Sequence, residues 1–456
     1  MTANLKKLFF KYGVYYPVTF IQGGDLRRSI RALEKTQYAH PTEIKNLQLQ
    51  KIQTLVRHAK ATVPWHQSTL KEISPDQLTN FEKFADLPLV TKEDIQSNSK
   101  NCKSTSITGR LIEKTSGGST GQPLTILKSP AAWINELAAT WRGYSWAGVD
   151  IGDLQARFWG TPLSDSGRRG ARMIDWICHR IRCSAFSFSE QDINQYWKKL
   201  VAAKPHYFYG YVSMLVEFAD HIKRSGKSAA VQPRSIITTS EVLTDNARKH
   251  LESVFNTRVY NEYGCGEIGT IAHECEAGRM HLSEENVYVE IVANGAVCAP
   301  GEAGEIVVTE LNNLAMPLIR YQIGDFGSIA ADQCSCGRTL RVLEGLHGRA
   351  YDFIESSDGR RFHGEFMMYI FEDLQKEGIG LRQFQVRQLD IGKFLIRVVP
   401  EDNFDKAARE KVIAKIHEHV DHDAHVQFEM VESISRERSG KMRVIVGIQN
   451  SSELTE

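Results

Sequence analysis

Thr115-Ser116-Gly117-Gly118-Ser119-Thr120-Gly121-Gln122-Pro123 is the stretch on which the fold turns. The run Gly109-Arg110-Leu111-Ile112-Glu113-Lys114 precedes it, and a strand-like run, Leu124-Thr125-Ile126-Leu127, follows it. Three glycines let the backbone bend close to an anion. Exposed N–H groups and hydroxyls then offer donors to phosphate oxygens. The loop lacks the Gly-Lys-Ser/Thr ending of a P-loop, and it does not open directly into a helix as a dinucleotide fingerprint does. Taken alone, it also reads as a Gly/Ser-rich surface turn.

Outward from the loop, helical periodicity covers residues 43–60 and 130–147, where Trp133, Leu137, Trp141 and Tyr144 recur at spacings of three or four and read as core. Strand-like runs then alternate with helices. Ala156 to Trp159 precedes a helical stretch near 168–181, Tyr207 to Tyr209 one at 212–225, and Ser235 to Thr239 one at 244–255. Such alternation predicts an α/β fold with a parallel sheet. From about 280 the pattern changes to strands Val287–Val292, Gly304–Thr309 and Leu318–Tyr321, separated by Gly, Pro and Asn, which reads as an antiparallel, β-barrel-like section. Beyond Gly348-Arg349 the chain reads strand, helix (364–376), strands (382–390, 393–399), helix (404–420) and strand (425–431). The expected organisation is a large domain, 1–347, and a small α+β domain, 348–456.

A chain of 456 residues exceeds one typical core. Net charge is +1, so no global field points to nucleic acid. Eight cysteines in so long a chain do not make a disulfide scaffold, and the reading is a reducing cytoplasm. No apolar run reaches the roughly 20 residues of a membrane span. The N-terminus sets Lys6, Lys7 and Lys11 among Leu5, Leu8, Phe9, Phe10, Tyr12, Val14, Tyr15 and Tyr16. It reads either as an amphipathic piece in peripheral contact with a membrane or as a segment packed on its own domain.

Four later segments carry chemistry. In Asn261-Glu262-Tyr263-Gly264-Cys265-Gly266-Glu267 a carboxylate beyond a strand can hold Mg²⁺, and an aromatic beside glycines can stack on a base; an exposed turn is the bland alternative. In Tyr321-Gln322-Ile323-Gly324-Asp325-Phe326-Gly327, Asp325 can accept from a ribose diol or can sit in a hairpin turn. Gly348-Arg349-Ala350-Tyr351-Asp352 can be a hinge. Ser439-Gly440-Lys441-Met442-Arg443 offers a lysine that otherwise reads as solvated.

Together and in this order, the five segments resemble the core motifs of the adenylate-forming ligase superfamily, over about residues 45 to 447. The similarity is greatest to the phenylacetate–CoA ligase-like branch, which includes coenzyme F390 synthetase and capsular polysaccharide biosynthesis-type proteins. The resemblance implies that Ser116, Gly117, Gly118, Ser119, Thr120 and Gly121 hold ATP phosphates. It implies that Ser240 and Glu241 line the adenine, that Tyr263 stacks on it, and that Glu267 holds Mg²⁺. Asp325 matches the ribose-binding aspartate, with Arg349 beside it, and Lys441 the catalytic lysine of a mobile C-terminal domain. Two departures stand out: Gly266 replaces a hydroxyl residue common in the family, and the hinge position, commonly Asp or Lys, falls on Tyr351, with Asp352 next to it. The implied reaction is ATP-dependent activation of a small carboxylic acid as acyl-adenylate, then transfer, foremost to CoA. Transfer to an amine or amino sugar, making an amide, is the alternative; a non-catalytic zinc-stabilised binding protein is a third reading.

Cys334-Ser335-Cys336-Gly337 presents two sulfurs on a tight turn, and Cys275 and His281 lie upstream. Three cysteines and a histidine suit a tetrahedral structural Zn²⁺. His273 is the rival fourth ligand, and ordinary buried cysteines are the alternative. Trp159 and Tyr211, at the ends of predicted strands, and Gly264 are candidates for the acyl pocket. Trp159 and Tyr211 read equally as sheet core.

Overall fold

The computed structural model describes residues 3–116, 124–160, 165–184, 188–227, 230–347 (except 242 and 244), 353–363, scattered positions between 367 and 379, 381–400, 404–434 (except 433) and 445–448. Strands β1 (Ile112–Ser116) and β2 (Leu124–Lys128) pair antiparallel, with Ser116 opposite Leu124. The glycine-rich loop therefore bridges the tip of a hairpin.

Strands β3 (Gln155–Trp159), β4 (Arg180–Ser184), β5 (Tyr207–Tyr211), β6 (Ser235–Thr239) and β7 (Arg258–Cys265) are parallel, in the order β4-β3-β5-β6-β7. Parallel strands are covered on both faces and so read as apolar throughout; every residue of β5 is buried. On one face Phe158, Phe208, Ile236 and Val259 pack against Leu215 and Phe218 of helix Val212–Arg224 and Leu251 and Phe255 of helix Asp245–Phe255. On the other, Tyr207, Tyr209 and Ile237 meet Ala138, Trp141 and Tyr144 of helix Pro130–Trp146. That helix starts where Ser129 accepts from the Ala132 N–H (3.2 Å), with Pro130 in its first turn.

After β7 the sheet becomes antiparallel. Strands β8 (Gly269–Glu274), β9 (Met280–Leu282), β10 (Val287–Ala293), β11 (Ala296–Val297), β12 (Gly304–Glu310), β13 (Tyr321–Ile329) and β14 (Val342–His347) continue it in the order β8-β9-β14-β13-β12-β10-β11. The antiparallel section read from the sequence is thus hydrogen-bonded edge to edge onto the parallel strands in one 12-stranded sheet. Beyond it, β15 (Phe353–Glu355) pairs with β16 (Arg361–His363). Strands β17 (Leu381–Asp390), β18 (Lys393–Pro400), β19 (His425–Met430) and β20 (Ile445–Val446) form a separate sheet. Helix Lys406–His419 covers it, burying Val412 and Ile416 in one cluster with Phe384, Phe394 and Ile396.

Two sequence expectations are corrected. The helix predicted to 181 ends at Ile177, and Arg180–Ser184 is β4 instead. His179 between them has φ 52°, a left-handed conformation that ends a helix. The strand predicted from Leu318 begins at Tyr321, because Arg320 has φ 50° and turns its guanidinium onto buried Glu290 (3.1 Å) and the Ala85 and Leu87 carbonyls.

His66 is buried against this core. Its Nε2 faces the Pro317 carbonyl at 3.3 Å while Nδ1 has no partner. Burial pushes its pKa down to about 4. The unfolded chain binds this proton near pH 6.5 and the folded chain only near 4. Stability is therefore undiminished above about pH 6.5 and falls by about 1.4 kcal/mol per unit as pH drops towards 4. Urea unfolding between pH 7 and 4 should show this slope reduced in His66→Leu; an identical slope in the variant would refute it.

Candidate functional site

Because β3, β5, β6 and β7 run parallel, their C-terminal ends share one edge of the sheet, where open α/β sheets place ligands. Trp159 ends β3 and Tyr211 ends β5, and their rings lie 4.2 Å apart, centroid to centroid. Arg157 lies over the Trp159 and Tyr209 rings, 4.5 and 4.7 Å from their centroids. Ser240 follows β6 with φ 69°, and Glu241 is next to it. A serine held in that conformation turns the chain sharply off the strand end.

Tyr263 lies in β7 and Asp325 in β13, and the Tyr263 hydroxyl donates to Asp325 Oδ2 at 2.9 Å. The two residues that the resemblance pairs with adenine and ribose are thus in contact. A Cβ on Gly264 would stand 2.3 Å from the Gly269 carbonyl oxygen, so the close approach of β7 to β8 requires glycine there. Glu267 occupies the turn between β7 and β8. It is buried rather than solvated, accepting from the Tyr321 hydroxyl (3.4 Å) with the Lys92 ammonium 4.0 Å away. Ser116 is the last residue of β1. Gly117, Gly118, Ser119, Thr120, Gly121, Arg349, Tyr351, Asp352 and Lys441 lie outside the described residues.

Sequence reasoning missed the lysines beneath the site. Lys128, the last residue of β2, is fully buried. Its ammonium donates to Glu136 (2.9 Å), Glu310 (2.7 Å) and the carbonyl of Ile268 (2.5 Å), the residue after Glu267. Lys114 of β1 donates to Glu136 as well. Burial opposes the charge on Lys128, but Glu136 and Glu310 hold its pKa above the ordinary lysine value. Burial likewise opposes ionisation of Glu136, and Lys128 and Lys114 overcome it. Strands β1 and β2 are thereby both tied to Glu136, and β2 also to the carbonyl next to Glu267. A lysine ending a strand gives no sequence signal that separates this role from a solvated one.

Cys275, His281, Cys334 and Cys336 converge, their ligand atoms all within 4.8 Å of one another. The Cys275 and Cys334 sulfurs are 3.7 Å apart, and Cys336 Sγ lies 3.2 Å from His281 Nε2. A disulfide needs about 2.05 Å between sulfurs. Two thiolates on one tetrahedral zinc, with Zn–S of about 2.3 Å, stand about 3.8 Å apart, and the observed spacing fits the latter. His281 Nδ1–H donates to the Leu340 carbonyl (2.9 Å), which turns the Nε2 lone pair to the sulfurs. Burial lowers the His281 pKa, favouring the neutral, ligating imidazole. The rival His273 points elsewhere. Its ring lies against Gly143, where a Cβ would come within 2.2 Å, and its Nε2 is 3.7 Å from Glu262.

Known proteins resemble the chain in sequence and in fold. Residues 354–447 match the family described as the CapK C-terminal domain. Phenylacetate-coenzyme A ligase of Pseudomonas putida is 24% identical over 339 residues, covering 71% of this chain and 74% of that protein. Protein CapK of Staphylococcus aureus is 22% identical over 414 residues, 88% of each chain. The solved structure of 2-hydroxyisobutyryl-CoA ligase in complex with 2-HIB-AMP and CoA matches with a TM-score of 0.60 at 18% identity, covering 91% of this chain and 92% of that chain. The chain is a distant relative of the phenylacetate–CoA ligases and of CapK, and it has the fold of an adenylate-forming ligase.

Removing Lys128 leaves buried Glu310 without its cation and Glu136 with Lys114 alone. Lys128→Met should cost about 3–5 kcal/mol, and adding Glu136→Gln and Glu310→Gln should restore part of it. Urea unfolding measures both, and a loss below about 1 kcal/mol, the value of an exposed pair, would contradict the clamp.

Proposed function

We propose that the chain activates a carboxylic acid with ATP as its acyl-adenylate, releases pyrophosphate, and passes the acyl group to the thiol of CoA. The contact between Tyr263 and Asp325, beside buried Glu267 at the ends of the parallel strands, carries this reading. The hydroxyl bond fixes the Tyr263 ring, so that its face can cover a base while Asp325 Oδ1 accepts from a ribose hydroxyl. Ser116 to Gly121 cradle the phosphates. A carboxylate oxygen of the acid attacks the α-phosphorus, and the bond to pyrophosphate breaks. In the second step the thiolate attacks the acyl carbon, and AMP leaves. Positioning and neutralisation of charge supply most of the rate. Lys441, on the small domain 348–456, neutralises the charge shared by the acid and the α-phosphate. Arg349 is proposed, from its match to the family motif, to assist Asp325 at the ribose. Trp159 and Tyr211, whose rings are in contact, form an aromatic wall for the acid, with Gly264 a further pocket position. Glu267 is the residue that would hold Mg²⁺, which supplies charge neutralisation at the phosphates. Cys275, His281, Cys334 and Cys336 would hold Zn²⁺ in a closed, structural role.

Pyrophosphate release measured over a panel of acids, with CoA or amines as acceptors, tests the reaction and identifies both substrates. Lys441→Ala should lower adenylate formation by more than tenfold, about 1.4 kcal/mol of barrier, while transfer from a supplied adenylate is less affected. A variant that keeps more than a tenth of the adenylation rate would remove Lys441 from the mechanism.

Metal analysis of the purified chain should find about one zinc per molecule, and Cys334→Ser should lower zinc content and thermal stability together. Full zinc occupancy in a Cys334→Ser/Cys336→Ser variant would refute the assignment.

A further inference from the structure

The first helical segment of the chain is inverted. Ala3–Leu8, the π-helical turn Phe9–Tyr15 and Tyr16–Gln22 follow one another without a break. A surface helix ordinarily turns its apolar stripe inward and its charges out. Here Lys7 and Lys11 point inward, pairing with Asp153 (2.9 Å) and Asp150 (2.7 Å). Gly152 lets the backbones meet, since a Cβ there would stand 2.3 Å from the Lys7 carbonyl oxygen. Further along, Val14, Tyr15 and Thr19 are buried, and Trp141 Nε1 donates to the Tyr15 hydroxyl (3.0 Å). These contacts fix which face looks out. That face carries Leu5, Leu8, Phe9 and Tyr12, at helical spacings of three and four, followed by Phe20 and Ile21.

A second segment extends the surface. Met173, Ile174 and Trp176 of helix Asp165–Ile177 are exposed. Phe10 joins the two segments, with its ring 5.9 Å from Trp176, 5.5 Å from Phe9 and stacked on His179 at 3.9 Å. Nine of the fifteen large apolar side chains exposed among the described residues fall in these two short segments. Singly scattered apolar residues need no explanation, but a contiguous patch marks an interaction site.

The sequence around the patch is mainly basic. Residues 1–24 contain three lysines and no Asp or Glu, Lys7 and Lys11 being paired inward with Asp150 and Asp153, and residues 166–174, between Asp165 and Asp175, contain three arginines. Lys6, Arg169 and Arg172 are exposed. Asp175 is buried and paired with Arg182 (2.8 Å). A two-fold contact with a second copy would set these cations against one another, whereas anionic lipid headgroups would complement them. Tyr, Trp and Phe at the level of Lys and Arg are the side chains that favour the interface of a bilayer. No helix among the described residues is long and apolar enough to cross a membrane, so the segment would lie in the interface plane.

We infer that the face formed by Leu5, Leu8, Phe9, Tyr12, Met173 and Trp176 docks the protein on an anionic lipid bilayer. This inference does not depend on the proposed reaction. Co-sedimentation of the full chain with phosphatidylcholine vesicles, with and without phosphatidylglycerol, tests it. The wild type should bind the anionic vesicles more tightly, and salt should weaken that binding. Phe9→Glu/Trp176→Glu should lower it at least about tenfold while the chain still unfolds cooperatively, because the two side chains are 47% and 57% exposed in the free protein. Lys6→Glu/Arg172→Glu should remove the preference for phosphatidylglycerol. Leu389→Glu, an exposed apolar position on the small sheet, should bind as the wild type does. Failure of the wild type to bind either vesicle overturns the proposal, as does equal binding by Phe9→Glu/Trp176→Glu. A wild-type dimer that this double variant dissociates, without any lipid binding, would make the face a self-association surface and overturn it as well.

Discussion

One ammonium group holds together parts of the chain that are far apart in sequence. Lys128 on β2 is bonded to Glu136 on the helix that covers the sheet, to Glu310 on β12 and to the Ile268 carbonyl beside Glu267. Burying three charges this way costs desolvation, and apolar residues of the same volume would often be as stable. What the ionic group adds is position: it accepts only one arrangement of its partners. Lys114 repeats the tie from β1. Both strands of the hairpin are thus anchored at Glu136. Tyr321 and Lys92 add to this frame by approaching the Glu267 carboxylate.

The parallel strands were legible from sequence because burial on both faces leaves an apolar run that few other structures produce, as in Tyr207–Tyr211 and Ser235–Thr239. The helices after them were legible from their period. Arg180–Ser184 was not, since a strand with four half-buried residues at the sheet edge mixes Arg with apolar residues and continues the apparent helix. The start of β13 was obscured by Arg320, whose left-handed backbone and buried guanidinium follow from a distant carboxylate, Glu290, that no local pattern reveals. Lys92, Lys114 and Lys128 illustrate the same limit. A buried lysine and a solvated one look identical in sequence, and only the partners, 8 to 182 positions away for Lys128, distinguish them. The cysteine group was legible because the Cys334-Ser335-Cys336 spacing is itself geometric information.

That group sits where the antiparallel half of the sheet needs a constraint. His281 lies on β9, opposite Val342 of β14 and His273 of β8, and Cys275 follows the end of β8. Cys334 and Cys336 belong to the connection between β13 and β14. These are short pairings, β9 having only three residues, and short strands are weak by themselves. An ion bound by all four side chains would close the β13–β14 connection onto β8 and β9, and loop closure is where such a link contributes most. Trp146, Ile44 and Leu340 pack around the cysteines, so the link also joins this corner to the helix Pro130–Trp146 and to the helix Pro41–Thr62.

The N-terminal segment shows why amphipathic pattern alone does not orient a helix. Its sequence mixes three lysines with aromatic and aliphatic residues, and the ordinary expectation sends lysines to water and rings to the core. The turn Asp150–Asp153 reverses this by offering two carboxylates and a glycine at the place where the helix lies down. Lys7 and Lys11 gain partly buried ion pairs, which do not by themselves outweigh the exposure of Leu5, Leu8, Phe9 and Tyr12 to water. The balance is held by Val14, Tyr15 and Thr19 further along, where burial and the Trp141 bond anchor the segment to the helix that also supplies Glu136. A helix kept apolar side out by contacts on its other side has a lower free energy once that outer side leaves water. The cost of its exposed face in the free chain is thus the driving force for a surface that covers it.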